Sequence, residues 1–217
     1  MNERAKELFG RGLAELGVTL TSAELGKFYL LATELGKWSR KINLTAIRGD
    51  EDIAVKHFID SLTVLRAIGT KGTLLDIGSG GGFPALPVKI ARRDLQIVSV
   101  DAVEKKIIFQ RHASRLLGLH HFDALHVRGE ELAGIYAGHF DWVVSRAFSD
   151  IPTFVRMALP LVKDAGRIVA MKGKGGVDEA RAAELPLADM GVRVTEVMEF
   201  VLPISGDARS LIVIERM

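Results

Sequence analysis

LLDIGSGGGFP at residues 74–84 is the stretch that decides the fold: an apolar run containing Asp76 leads into four glycines within five positions. Glycine lacks a Cβ atom and tolerates positive φ angles, so the backbone of this loop can approach a ligand closely. Dinucleotides and nucleoside triphosphates bind glycine-rich loops that follow a strand, and S-adenosylmethionine does so too. These three ligands imply unrelated chemistries, so the rest of the sequence has to distinguish them.

Short runs rich in Val, Ile and Leu alternate with helical patterns from Thr73 onward. We predict strands at 73–77, 96–100, 123–127, 141–145 and 166–170, and helices at 84–91, 103–118, 150–162 and 178–187. Strands that alternate with helices predict parallel βαβ units, with helices on both faces of the sheet. Two final runs, 192–201 and 210–215, are joined by a turn-like link and should pair as an antiparallel hairpin at one end of the sheet.

The predicted fold class is therefore α/β, a Rossmann-like, seven-stranded, doubly wound sheet preceded by a helical N-terminal segment. Helical patterns cover 3–16 and the residues behind the capping box TSAE at 21–24, a loop is predicted over 39–49, and Asp50 is placed to cap a third helix. We predict two parts, a helical segment at 1–70 that packs on the core and a core domain at 71–217.

Composition limits the class of protein. The chain has 217 residues, a net charge of +2 and no cysteine, which excludes disulfides and thiolate metal sites. Its six histidines show no metal-ligand spacing, so no metal is predicted. No apolar run reaches the roughly 18 residues that a membrane span needs, and the mixed-charge N-terminus does not resemble a secretory signal. A cytoplasmic location is the simplest expectation.

The glycine pattern distinguishes the three ligands. The string GxxxxGK[ST] of nucleoside triphosphate loops is missing from the sequence, and the dinucleotide string GxGxxG fails at Phe83, which stands where the third glycine is required. The pattern that fits is D-x-G-x-G-x-G, at Asp76, Gly78, Gly80 and Gly82. An acid ahead of the glycines suits a cationic ligand better than a pyrophosphate, and S-adenosylmethionine carries an ammonium and a sulfonium charge.

Asp101 supplies a second anchor. It lies directly after the second strand, about twenty residues beyond the loop, where an acid accepts hydrogen bonds from the ribose hydroxyls of an adenosine. NAD enzymes use the same device, so Asp101 alone indicates an adenosine nucleoside; the alternative is that it caps the helix at 103–118. The glycine loop, Asp101 and the terminal hairpin together resemble the class I methyltransferases, and we predict S-adenosylmethionine as the cofactor.

Absent residues narrow the methyl acceptor. Methylation at carbon 5 of a pyrimidine needs a cysteine nucleophile, and the chain has none. Amino-group methylation of bases usually accompanies an Asn/Asp-Pro-Pro-aromatic loop after the fourth strand, where this chain has Arg146. The N7 lone pair of guanine is free at neutral pH and no proton has to leave, so positioning alone is compatible with its methylation.

Several strings occur in order around the glycine loop: KWSRKINLTAI (37–47), KHFIDSL (56–62), DAVEKKIIF (101–109), VRGEEL (127–132), VSRAF (144–148), MKG (171–173) and ARSLIVI (208–214). Together they resemble the bacterial RsmG family, also called glucose-inhibited division protein B. The resemblance implies methylation of guanine N7 in small-subunit ribosomal RNA. It implies contacts with the methyl donor at Gly78, Phe83, Gly129, Glu130 and Arg146. The glycine pattern adds Gly80 to these contacts, and the position after the second strand adds Asp101.

The RNA side of the site is predicted from cations near these strings. Arg146 and Lys172 are assigned positioning roles beside the transferring methyl, with no general base. Predicted RNA contacts are Arg40, Lys41, Asn43, His57, Lys172 and Lys174. A hydrolase triad of His57, Asp60 and Ser61 is rejected, since one helix would carry all three along one face. His57 and Asp60 are expected to orient one another and the NLT loop (43–45), or to cap the edge of the sheet.

Other functions stay open at this point. A methyltransferase of the same fold with another substrate, either another RNA, a protein or a small molecule, is the first alternative, because fold does not fix the substrate. A non-enzymatic RNA-binding protein with a vestigial nucleoside pocket is the second, and an NAD oxidoreductase ranks last. The expected partner is small-subunit ribosomal RNA or an assembling small subunit. The protein is expected to be a monomer and to have no membrane partner. Trp38 is expected to pack in the core rather than to stack on a base.

Overall fold

A computed structural model describes residues 1–42, 44–127, 131–146 and 148–217. Its centre is a seven-stranded sheet in the order β3-β2-β1-β4-β5-β7-β6. The strands are β1 (Gly72–Ile77), β2 (Leu95–Asp101), β3 (Phe122–His126), β4 (Phe140–Arg146), β5 (Val162–Lys172), β6 (Val192–Val201) and β7 (Ala208–Arg216). β1 to β5 are parallel, and β7 pairs antiparallel with both β5 and β6. The predicted fold class and the terminal hairpin are confirmed.

Helices connect the strands on both faces. The described residues form α1 (Glu3–Leu16), α2 (Ser22–Ile42), α3 (Asp50–Asp52), α4 (Asp60–Leu62), α5 (Ala85–Ala91), α6 (Glu104–Leu116), α7 (Ala133–Tyr136), α8 (Ile151–Ala158), α9 (Gly176–Ala182) and α10 (Glu184–Asp189). α8 is shorter than the predicted helix at 150–162: Leu159 keeps helical backbone angles as the cap residue, and Pro160 has no backbone N–H to continue the helical hydrogen bonds. β5 then begins at Val162, earlier than predicted.

The N-terminal helices follow their sequence signals with two corrections. The capping box is present: Thr21 N donates to Glu24 Oε2 at 2.7 Å, and Glu24 N donates to Thr21 Oγ1 at 3.3 Å. α2 continues to Ile42, so the start of the predicted loop is helical. The expectation that Asp50 caps a helix is wrong, since Gly49 occupies the cap position and Asp50 is the first residue of α3. The Asp50 carboxylate lies 3.6 Å from the N-terminal ammonium instead.

One helical run links α3 to α4 through a π-helix at Ile53–Ile59, and a 3₁₀ turn at Thr63–Arg66 ends it. π-Helical turns are rare and occur often at functional sites. This π-helix contains His57, and α4 begins with Asp60. The unusual backbone therefore lies where the sequence placed two candidate functional residues.

Two apolar layers cover the sheet. Residues of α1, α2, the π-helix, α5 and α6 form one buried cluster, in which the rings of Phe9, Phe28 and Phe58 lie 4.9–5.8 Å apart. α8, α9 and α10 cover the opposite face. Since the first 70 residues share a hydrophobic cluster with the sheet, the division into 1–70 and 71–217 stays a prediction. Among the described helices, none has the length and apolar character that crossing a bilayer requires.

Candidate active site

The glycine loop connects β1 to α5 at the carboxyl end of the sheet, next to the point where strand order reverses. Gly78 and Gly80 have φ angles of 72° and 59°, which other residues rarely adopt. The N–H groups of Gly78 and Ser79 both donate to Val100 O at 3.0 Å, which fixes the loop on β2. Among the described residues, a Cβ atom added to Gly80 would meet nothing within 4 Å, and one on Gly78 would meet only Phe148, at 4.0 Å. The described part of the chain therefore leaves open space in front of the backbone of the loop.

Asp101 joins this loop to the turn after β2. Its Oδ2 accepts from Gly80 N at 2.9 Å, its Oδ1 accepts from Val103 N at 2.8 Å, and Lys106 Nζ lies 3.5 Å from Oδ2. The cap position of α6 is Val103, so the alternative that Asp101 caps this helix is wrong. The carboxylate that was predicted to bind ribose lies beside the open glycine backbone.

Gln110 is a structural part of the site that the sequence analysis missed. It is fully buried on α6, and its Nε2 donates to Ser79 Oγ and to Gly80 O, both at 2.8 Å. Its Oε1 accepts from Ser99 Oγ at 2.6 Å. The available signal was a polar residue on the buried face of α6, three positions after Ile107. Gln110 holds the glycine loop in place.

Asp76 is the buried acid of the site. Its side chain is 0% exposed; Oδ2 accepts from Ala85 N at 3.1 Å, whereas Oδ1 has no hydrogen-bond partner among the described residues. Burial is the main reason that the pKa of Asp76 is raised to about 7; the Ala85 hydrogen bond and the charge of Arg146 lower this pKa, and the charge of Asp101 raises it. A cationic group placed at the glycine loop would supply the partner that this carboxyl lacks, so the site fits the cationic donor predicted from the sequence.

Phe83 and His57 form a stacked pair behind the loop. Their ring centroids lie 4.2 Å apart with planes 12° from parallel, and Arg146 Cζ lies 5.6 Å from the Phe83 ring. Phe83 is only 2% exposed. The structure therefore places its ring inside the protein, against the π-helix.

His57 is held as a neutral imidazole. Its Nδ1 accepts from Arg146 Nη2 at 3.1 Å, so Nε2 carries the proton and donates to Thr45 Oγ1 at 2.8 Å. Burial, followed by the charge of Arg146, lowers the pKa of His57 to about 3. The ring thus orients Thr45 of the NLT loop, as expected, but it is buried and offers no surface to RNA in this structure. Both ring nitrogens are engaged away from Ser61, so the rejected triad is not assembled.

Asp60, Arg146 and Arg209 form what we call the arginine–aspartate cluster. Arg146 Nη1 donates to Asp60 Oδ2 at 3.2 Å and to Lys56 O at 3.1 Å, and Arg209 Nε donates to Asp60 Oδ1 at 2.7 Å. Asp60 and His57 therefore meet through Arg146 rather than directly. No local pattern in the sequence indicates a role for Arg209, which lies 149 residues from Asp60 along the chain.

A cleft of about 450 Å³ opens beside this cluster, at the carboxyl ends of β4 and β5. Its walls include Arg146, Met171, Lys172, Phe200, Arg209 and Ser210. Lys172 Nζ is paired with Glu179 Oε1 at 2.7 Å and donates to Phe148 O at 3.2 Å. The two cations with predicted positioning roles thus border one cleft, and each is anchored by an acid of this chain.

The remaining predicted residues lie on the surface or outside the described ranges. Arg40, Lys41 and Lys174 are exposed. Asn43, Gly129 and Glu130, named with them or with the donor contacts, lie outside the described residues. Trp38 packs against the core, with its ring centroid 5.7 Å from that of Phe109, which confirms the expectation that it is a packing residue.

Comparison with known proteins identifies the family. A family model described as GidB, rRNA small subunit methyltransferase G, matches residues 24–209. Ribosomal RNA small subunit methyltransferase G of Geotalea uraniireducens is 64% identical over 216 residues, covering 100% of this chain and 99% of that protein. The Deinococcus radiodurans protein of the same name is 40% identical over 215 residues, covering 97% and 85%.

Solved structures agree on the fold. A SAM dependent methyltransferase from Aquifex aeolicus superposes with a TM-score of 0.57 at 19% identity, covering 71% of this chain and 89% of that one. At that identity the likeness concerns the fold alone, and it confirms the predicted Rossmann-like methyltransferase architecture. The family model and the relatives confirm the resemblance seen in the sequence: the chain belongs to the rRNA small subunit methyltransferase G family.

Proposed function

We propose that this protein transfers the methyl group of S-adenosylmethionine to N7 of a guanine in small-subunit ribosomal RNA. The relatives are named for small-subunit ribosomal RNA as their substrate. The observation that carries the proposal on the structural side is the open glycine loop, which has the Asp76 and Asp101 carboxyls beside it.

The donor would lie against the backbone of Gly78 and Gly80, with its ribose on Asp101 and a cationic group near Asp76. When bound, S-adenosylmethionine supplies an electrophilic methyl group on a sulfonium. Glycine is required on the binding side because a side chain at Gly80 would project into the open space in front of the loop. Phe83 supports the loop from behind through its stack on His57, and Gly129 and Glu130 stay predicted donor contacts.

Methylation of guanine N7 does not require a general base from the protein. Its lone pair is available at neutral pH and no proton leaves, so the task is to hold the base in line with the methyl group and to exclude water. His57 is neutral and donates its only N–H to Thr45, which suits a structural role. Arg146 is then a positioning residue that donates to His57 and holds Asp60 at the wall of the cleft.

The RNA would approach from the cleft side. Arg40, Lys41 and Lys174 are exposed and suit contacts with phosphates, which position a nucleic acid rather than read its sequence. Lys172 and His57 are engaged within the protein and would act by holding the cleft in shape. We propose small-subunit ribosomal RNA, free or in an assembling subunit, as the partner of a cytoplasmic monomer.

Transfer of a radiolabelled methyl group tests the proposal. Small subunits from a strain lacking this gene are incubated with the protein and labelled S-adenosylmethionine, and the RNA is then digested to nucleosides. We expect the label in 7-methylguanosine, with subunits from the parent strain, already modified, as the matched control. Label in another nucleoside or in protein contradicts the proposal, and so does a complete absence of transferred label.

A further inference from the structure

The buried carboxyl of Asp76 has an incomplete set of partners. In β1, Asp76 pairs in register with Ser99 of β2 and Val144 of β4, so it lies inside the sheet near the carboxyl end. Its Oδ2 accepts one hydrogen bond from α5, and its Oδ1 accepts none from the described residues. A buried carboxylate without compensation is costly, whereas a protonated carboxyl needs less. In the free protein the structure therefore favours the neutral acid.

Charged groups around Asp76 do not remove this cost. The charge of Arg146 in β4 lowers the pKa of Asp76. Its hydrogen bonds, however, go to Asp60, to the Lys56 carbonyl and to His57. Asp101 of β2 opposes ionisation of Asp76, and α5 contributes the backbone N–H of Ala85 as a donor, which is not a charge. His57, behind Arg146, is neutral. The missing partner is therefore a positive charge that the described residues do not provide.

We propose that Asp76 carries a proton in the free protein and releases it to solvent when the cationic methyl donor binds. The inference rests on the proposed function, because it takes S-adenosylmethionine as the ligand of the glycine loop. A cation that enters the loop favours the carboxylate, so binding and ionisation become linked. Asp76 then makes the affinity for a charged donor depend on pH. The adenosine contacts, which any adenine nucleoside would make, do not have this dependence.

The test is donor binding measured by calorimetry in the absence of RNA, in two buffers with different heats of ionisation. Below pH 7 we expect S-adenosylmethionine to release about one proton on binding, and the dissociation constant to fall about tenfold for each pH unit until it levels off above pH 7. Adenosine, which lacks the charged part, should release none. Equal proton release by adenosine, or donor binding with no proton release, would overturn the proposal.

Two variants assign the proton to one carboxyl. Asp76→Asn imitates the protonated acid and should fold, bind the donor with no proton release and lose the pH dependence of the dissociation constant. Asp101→Asn, the matched control in the same site, should bind more weakly and keep that dependence. Release that persists in Asp76→Asn and disappears in Asp101→Asn contradicts the assignment.

A measurement on the unaltered protein covers the case in which Asp76→Asn fails to fold. The carbonyl carbon of the Asp76 side chain, followed by ¹³C nuclear magnetic resonance near pH 6, should shift from the protonated to the ionised position when donor is added. No shift on saturation contradicts the proposal. If S-adenosylmethionine does not bind at any pH, the proposed function fails as well; if it binds without a pH dependence, only this inference fails.

Discussion

The glycine loop and the arginine–aspartate cluster lie side by side at the carboxyl ends of the strands, yet they are built differently. The loop is held mainly by backbone groups and by partners 9 to 31 residues away along the chain. The cluster joins side chains that lie 86 and 149 residues apart. Local construction leaves a motif that can be recognised in one sequence, whereas long-range construction leaves only scattered arginines and acids.

This contrast also concerns charge. The loop follows the buried carboxyl of Asp76 in β1, which has one oxygen without a partner among the described residues, whereas the cluster surrounds its carboxylate with two guanidinium groups. The loop therefore has capacity for a cationic ligand, and the cluster is internally compensated. We infer that ligand binding changes the charge state of the loop region more than that of the cluster. Substitutions in the cluster should mainly lower the free energy of unfolding.

The largest effect is expected from Asp60→Ala. Removing the carboxylate leaves Arg146 and Arg209 without their shared acid in a site where Asp60 is only 8% exposed. Loss of one partner from such a buried network costs about 3–5 kcal/mol. Urea unfolding should show this loss in the free energy of unfolding. Asp52→Ala, which breaks the solvent-exposed pair with Lys56, is the matched control and should leave stability nearly unchanged; similar losses in both variants would contradict this view of the cluster.

A second prediction concerns the pH dependence of stability between pH 4 and 6.5, where His57 and Asp76 act in opposite directions. Folded His57 has its pKa lowered from 6.5 to about 3, so the unfolded chain binds the extra proton and stability falls as pH falls. Folded Asp76 has its pKa raised from 3.8 to about 7, so the folded chain holds the extra proton and stability falls as pH rises. Each contributes about 1.4 kcal/mol per pH unit, and the two contributions largely cancel.

Single variants should uncover the two slopes. In Asp76→Asn the free energy of unfolding should rise with pH, by about 3 kcal/mol over two units, because only His57 remains. In His57→Asn it should fall with pH by a similar amount. Chemical denaturation at several pH values measures these slopes, which do not depend on the absolute stability of each variant. Slopes of the same sign in both variants would show that one of the two protonation states is wrong.

The contrast between the regions explains what the sequence could predict. Strand alternation, the capping box at Thr21 and the glycine loop follow from local periodicity and backbone geometry, and each is confirmed. The prediction that Asp50 caps a helix is wrong, because the preceding Gly49 takes the cap position and the Asp50 carboxylate lies near the N-terminal ammonium. This contact joins residues 1 and 50, and no local sequence pattern encodes a contact over that distance.

Side-chain partners were the part of the site that sequence could not supply. Lys172 and His57 are predicted from the sequence to contact RNA. The structure instead pairs Lys172 with Glu179 and buries His57 between Thr45 and Arg146. Such pairings depend on how helices pack over the sheet, and one sequence without its fold does not determine them.

A third, smaller effect is expected from Asp101→Ala on donor binding. The variant removes the acceptor of the Gly80 and Val103 N–H groups as well as the predicted ribose contact, so affinity should fall by about 1–3 kcal/mol. Calorimetry with S-adenosylmethionine measures the change, with Asp123→Ala, an exposed acid on β3, as control. An unchanged dissociation constant would leave Asp101 with a structural role only.

The smallest effects are expected at the surface cations. Replacing Arg40 and Lys41 together by Gln, or Lys174 alone, should weaken binding to small-subunit RNA by a few-fold at low salt. The slope of log affinity against log salt should decrease by about 0.7–0.9 for each lost phosphate contact. Lys71→Gln, exposed at the opposite end of β1, is the control. Equal weakening by Lys71→Gln would indicate a general charge effect rather than a defined RNA face.

A crystal structure of the protein with S-adenosylmethionine bound would show the donor site itself. We expect the adenosyl group against the backbone of Gly78 and Gly80, the ribose hydroxyls on Asp101 and a positive group of the donor facing Asp76, with the arginine–aspartate cluster unchanged. Donor bound at another place, with the glycine loop empty, would contradict this expectation.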